Sequence, residues 1–202
     1  METEVYPTLH SGERVAPVKP RGVNPSAIAR FVYDWSMPSF PARPAPARIL
    51  MAGLLTGVTD GLFSSVLSVA FYHSTVVRLF QGVASVLFGS EATKGGVAMA
   101  AVGIAMHFGV ALAWSCVFYA ILRLAPALRK LLGSPYGIGI VAAVYGPLVW
   151  TMMSLVIVPI VAHRPAAPIT SRWWTQFFGH MVFVGLPIVW TMSRRIVARY
   201  HS

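Results

Sequence analysis

The 202-residue chain carries too few charged residues for an ordinary soluble domain. Hydrophobic residues make up 56% of it and charged residues 11%, whereas soluble domains average about 25% charged residues. Its net charge is +10, but the Lys and Arg residues cluster between apolar segments instead of forming a basic stripe, which excludes nucleic-acid binding and indicates a membrane protein contacting the lipid bilayer.

The first 48 residues form a proline-rich tail with one short predicted helix. Eight prolines disfavour long helices there. Asn24 and Pro25 suit a helix start, so we predict a helix at about 24–35. Its apolar face is expected either to anchor on the inner leaflet or to dock on a partner subunit. That face contains Ile28, Phe31, Val32 and Trp35.

Four later segments are long and apolar enough to cross a bilayer. A hydrocarbon core of about 30 Å requires roughly 20 apolar residues in a helix. The sequence therefore predicts an all-α membrane protein with a four-helix transmembrane bundle over 49–195 and a short C-terminal tail at 196–202. The predicted spans are 49–72, 96–122, 136–162 and 173–193.

The distribution of positive charge predicts the orientation of the spans. Twelve of the sixteen Lys and Arg residues lie in the two tails and in the loop between the second and third spans. Cytoplasmic segments are enriched in Lys and Arg. Both termini are therefore predicted to be cytoplasmic.

The loop between the first and second spans contains the amphipathic segment VVRLFQGVASVLFG. It is too short to span, so we predict a helix that lies in the outer interface or folds into the bundle. Arg78, Gln81 and Ser85 are predicted on its polar face.

Small residues recur at four-residue intervals within the spans. Such faces allow helix backbones to approach closely. They predict tight packing inside the bundle, with a homodimer seam as the alternative. The main positions are Gly53, Gly57, Gly61, Gly103 and Gly146.

Three ionisable residues lie at similar predicted depth in three spans: Asp60, His107 and His180. A carboxylate near the bilayer centre costs about 2.5–3.5 kcal/mol unless it is partnered, solvated or protonated. One interpretation is a hydrogen-bonded cluster that fixes helix register, and another is a proton or ion relay. A third is a metal or haem site at His107 and His180, which no regular ligand spacing supports.

Several residues in order carry a resemblance over about 49–195. They are the glycine-bearing helix with Asp60, VRLFQGVASVLFG, the pair His107–Phe108, the pair Tyr145–Gly146, and GHMVFVGLP at 179–187. This region resembles a group of uncharacterised bacterial four-helix inner-membrane proteins. The resemblance implies a bacterial cytoplasmic-membrane location and the same topology, but no activity.

Two functions from different classes follow from these features. No catalytic motif is recognisable, so we predict neither an enzyme nor a resident cofactor or metal. The favoured prediction is an accessory or assembly subunit of a larger membrane complex, associating with other membrane subunits or with itself. The alternative is a small proton-coupled transporter that uses the three intramembrane ionisable residues.

Overall fold

The computed structural model of the protein describes the backbone of residues 45–200 and the side chains of residues 45–194. The predicted tail helix at 24–35 and its docking face, Ile28, Phe31, Val32 and Trp35, lie outside the described residues. The regular secondary structure of the described part is all helical.

Within residues 45–200, eight α-helices follow one another, with three π-helical turns continuing some of them. A 3₁₀ turn at Ser90–Lys94 links the second helix to the third. The helices are α1 (Ala45–Val66), α2 (Val76–Phe88), α3 (Gly96–Leu124), α4 (Pro126–Leu132), α5 (Gly137–Met152), α6 (Val158–Ala162), α7 (Ser171–His180) and α8 (Leu186–Tyr200), and the π turns are Leu67–Phe71, Met153–Ile157 and Met181–Gly185.

Four continuous helical segments are long and apolar enough to cross a membrane, as predicted. The first span begins four residues before its predicted start, at a point where Pro46 suits the first turn of a helix. Helix α8, which ends the fourth span, continues to Tyr200, so most of the predicted C-terminal tail is helical. The spans are Ala45–Phe71, Gly96–Leu124, Gly137–Ala162 and Ser171–Arg194.

The outer faces of the spans are apolar and exposed. Leu62, Val97 and Val144 each expose more than 60% of their surface. Contiguous apolar exposure on this scale is unfavourable in water. These surfaces face the hydrocarbon of the bilayer.

The two ends of the bundle differ in packing. Leu124, Gly137 and Arg194 lie at the end where the first span begins, which we call the closed end, since a buried apolar core fills it. That core includes Phe118, Leu122, Leu132, Val141, Ile188 and Met192. Phe71, Gly96, Ala162 and Ser171 lie at the opposite end, which we call the open end.

Helix α2 folds onto α3 at the open end. Thr75 caps it by accepting a hydrogen bond from the backbone N–H of Arg78. Its backbone at Phe80 lies directly against Gly103. Gln81 Nε2 donates to the carbonyl oxygen of Gly96 at 2.9 Å, and the side chain is buried. Gln81, predicted on the polar face of this helix, is thus buried because its amide binds the carbonyl oxygen of Gly96 at the start of α3.

Proline shapes the fourth span and joins it to the first. Pro187 has no N–H, so the carbonyl oxygen of Phe183, four residues earlier, lacks its ordinary helical donor. The π turn Met181–Gly185 contains Phe183, and Thr59 Oγ1 on α1 donates to its carbonyl oxygen at 2.7 Å. A side chain of the first span thereby satisfies a backbone group of the fourth.

Candidate functional site

The three ionisable residues lie at one depth because of where their helices begin and end. Asp60 precedes the end of the first span at Phe71 by 11 residues, and His107 follows Gly96 by 11. Those separations amount to about 16 Å from the open end, and the nine residues from Ser171 to His180 to about 14 Å. All three residues thus lie near the middle of the bundle.

The structure brings these side chains together around the Asp60 carboxyl group. Asp60 Oδ2 is 3.9 Å from His107 Nε2, and Asp60 Oδ1 is 3.9 Å from His180 Nε2. Asp60 and His180 are buried. The distances exceed direct hydrogen bonds, so a bridging water or a small side-chain movement is needed to join the groups.

The neighbouring carbonyl groups determine which ring nitrogen carries the hydrogen in the neutral form of each histidine. A carbonyl oxygen only accepts, so the ring nitrogen beside it must carry hydrogen. His107 Nε2 lies 3.1 Å from the carbonyl oxygen of Gly57. His180 Nδ1 lies 2.7 Å from the carbonyl oxygen of Gln176. Neutral His180 therefore presents the lone pair of Nε2 to Asp60.

The Asp60–His180 pair leaves a donor position open. An ionised Asp60 and a neutral His180 place an anionic oxygen opposite a nitrogen lone pair, two acceptors with no donor between them. A water molecule that donates to both, or a proton on either group, would supply that donor. His107 lies on the other side of Asp60.

A cavity of about 810 Å³ connects this cluster with the open end. At its inner end it is lined by Asp60, His107 and His180, and the loops after the first and third spans line its outer part. The apolar core closes the bundle beyond the cluster. The cavity therefore leads from one end of the bundle to its middle.

Several buried polar atoms on the cavity wall have no hydrogen-bond partner among the described residues. They are Thr56 Oγ1, Asp60 Oδ1, Trp150 Nε1 and Gln176 Oε1. Buried polar groups are normally satisfied, by water where protein partners are lacking. The cavity is roomy enough for water, so these atoms mark its inner part as a polar site for water or solute.

Three arginines line the outer part of the cavity: Arg78 on α2, Arg164 after α6 and Arg172 on α7. All three are exposed. The guanidinium of Arg172 lies over the ring of Tyr72, 3.8 Å from its centroid. The three arginines are far apart in the sequence, so their grouping is not visible there. It arises because the segments that carry them all lie at the open end of the bundle.

All five glycines predicted for helix packing lie against another helix. A Cβ on Gly53 would be 2.9 Å from Leu112 Cα, one on Gly57 would overlap the Phe108 ring, and one on Gly61 would be 3.4 Å from His107 Nε2. Gly103 and Gly146 lie against the backbones of Phe80 and His180. These glycines bring the three ionisable residues within reach of one another.

No group of three or more His, Cys, Asp or Glu side chains within the described part of the chain is arranged to hold a metal ion. In particular, the Asp60 oxygens face the two histidines separately. The alternative of a metal or haem at His107 and His180 therefore gains no support from this geometry.

No family model, curated protein or solved structure matches the chain. The resemblance to bacterial four-helix inner-membrane proteins stays a prediction. So does the subunit function, because its proposed docking face lies outside the described residues.

Sequence reasoning identified the ionisable cluster but missed most of the cavity wall. Trp150 packs against His180, with ring centroids 4.9 Å apart, and Gln176 binds its imidazole through the backbone. Gln176 lies one helical turn before His180, a spacing that would have placed its carbonyl near the ring. No sequence signal identifies Trp150, which comes from another span.

Proposed function

We propose that this protein is a proton-coupled carrier for a small polar solute. The observation that supports the proposal most is the position of the Asp60–His180 pair, which can hold a proton between its two acceptors, at the inner end of a cavity. Asp60 Oδ1 has no hydrogen-bond partner among the described residues, so it is available to water, to solute or to a proton.

The proton enters along the cavity and binds Asp60 or His180. Solute binds beside it, against the unpartnered donors of Thr56 and Trp150. Movement of the helices then opens the closed end and seals the open end, which is the alternating access of carriers.

We also propose where the protein lies in the cell and which end of the bundle faces the cytoplasm. Following the charge distribution, both termini lie in the cytoplasm of a bacterium and the open end faces outward. The proton gradient of a bacterial inner membrane then drives uptake. Four spans are few for alternating access, so the carrier is proposed to act as a homo-oligomer.

Asp60→Asn tests this function directly. The variant keeps the size of the side chain and offers an amide donor to His180, but it cannot take up or release a proton. In proteoliposomes with an internal pH dye, solute-dependent proton entry should fall to the rate of protein-free vesicles.

Glu91→Gln is the matched control. Glu91 is exposed, pairs with Lys94 at 2.8 Å and does not line the cavity. Its neutralisation should leave solute-dependent proton entry unchanged. Proton entry in Asp60→Asn at the rate of the unaltered protein would refute the proposed function.

A further inference from the structure

We propose that the solute is a small oxyanion, a carboxylate or phosphate, drawn into the cavity by Arg78, Arg164 and Arg172. This inference rests on the proposed carrier function. It concerns the charge and hydrogen bonding of the cavity from its outer part to its inner end.

The positive charge of these arginines is not neutralised by carboxylates of the described residues. Glu91, the acid nearest in sequence, pairs with Lys94, and Asp60 lies deeper, between two histidines. An uncompensated cluster of one sign around a cleft attracts the opposite sign and raises its local concentration. The outer cavity therefore favours anions over cations.

The guanidinium groups also suit oxyanions by shape. Arginine presents N–H donors in a planar fork that matches a carboxylate or phosphate. Tyr72 stacks on the face of Arg172, which orients the group while leaving its N–H edge free. An oxyanion thus finds directional donors as well as charge.

The inner end supplies further donors for the same ligand. Thr56 Oγ1 and Trp150 Nε1 are buried, lack hydrogen-bond partners among the described residues and line the cavity. Both groups can donate a hydrogen bond. An oxyanion that reaches the inner end therefore meets donors there.

Proton uptake at the inner end of the cavity controls whether an anion can move inward from the outer part. The ionisable groups lining the cavity are Asp60, His107, His180, Arg78, Arg164 and Arg172. With Asp60 ionised and both histidines neutral, the inner cluster is negative and repels an anion. One proton from the cavity solution neutralises the cluster and a second makes it positive, so the anion enters the inner site only after protonation and the two move together.

The first experiment measures binding without transport. Radiolabelled inorganic phosphate is bound to detergent-solubilised protein free of phospholipid. The variant with Arg78→Gln, Arg164→Gln and Arg172→Gln should bind about tenfold more weakly at low ionic strength, with the difference shrinking in high salt. Lys94→Gln, whose charge Glu91 already balances, should bind normally. Single arginine variants, each expected to lose about two- to threefold, replace the triple variant if it does not fold.

The second experiment measures uptake into phosphatidylcholine vesicles. Gluconate, succinate and phosphate are compared with lysine and sucrose, and proton entry should accompany at least one anion and neither control. Asp60→Asn removes the negative charge that repels an anion, so it should bind phosphate at least as tightly as the unaltered protein while losing proton-coupled uptake.

The outcomes separate the two proposals. Phosphate binding that depends on the arginines, without coupled uptake of any anion, supports the oxyanion site and refutes the carrier. Coupled uptake of lysine or sucrose, unaffected by the arginine variants, supports the carrier and refutes the oxyanion inference. Displacement of bound phosphate by vesicles containing phosphatidylglycerol, with no anion uptake, identifies a lipid headgroup as the ligand and overturns the soluble-solute proposal.

Discussion

Gly146 on α5 and His180 on α7 are in backbone contact: a Cβ built on Gly146 would overlap the carbonyl oxygen of His180. The fourth span approaches the third this closely only because Gly146 lacks a side chain. The contact sets the position of the imidazole 3.9 Å from Asp60.

Gly146→Ala should therefore push the fourth span away from the third. We expect a loss of roughly 1–3 kcal/mol in stability, the usual cost of overpacking, and loss of proton-coupled uptake. Thermal unfolding in detergent measures the first effect. Gly139→Ala is the control on the same helix, since a Cβ there meets nothing within 4 Å; equal unfolding temperatures for the two variants would contradict the contact.

Gly103→Ala should loosen α2 from α3. A Cβ at Gly103 would overlap the carbonyl oxygen of Phe80, a backbone atom that cannot move alone. Limited proteolysis should then cut the loops on either side of α2 faster than in the unaltered protein, and phosphate binding should weaken because Arg78 moves with the helix. Gly109→Ala, on the same span with open space around it, should be cut at the ordinary rate.

Thr59→Val should destabilise the junction between the first and fourth spans. The substitution keeps the size of the side chain but removes the donor to the carbonyl oxygen of Phe183. We expect a loss of about 0.5–2 kcal/mol, the range measured for hydrogen bonds between membrane helices. Thr175→Val is the control, because its hydroxyl binds only its own helix, at Ser171. An unchanged unfolding temperature for Thr59→Val would mean that water can replace the hydroxyl.

The proposed orientation is testable with single cysteines. In a Cys116→Ser background, Ser74→Cys reports on the open end and Ser134→Cys on the closed end. A membrane-impermeant maleimide applied to intact spheroplasts should label the first and not the second, with both labelled after lysis. The reverse pattern would place the termini outside and invert the proposed direction of transport.

The number and approximate limits of the spans were predictable from sequence because lipid exposure requires long uninterrupted apolar helices. Depth in the membrane was predictable as well, since each helical residue adds a constant rise. For that reason Asp60, His107 and His180 were placed at one level before any contact was known.

Only the tertiary structure decided which side chains line the same cavity. Depth does not give the rotation of a helix or the identity of its neighbours, and in lipid those depend on local backbone approach at residues such as Gly103 and Gly146. Gln81 is an example: amphipathic periodicity places it on the polar face of α2 but cannot foresee the carbonyl oxygen of Gly96 that binds it. The convergence of Arg78, Arg164 and Arg172 on one cavity was equally invisible, because chain ends and loops meet only when the helices between them have packed.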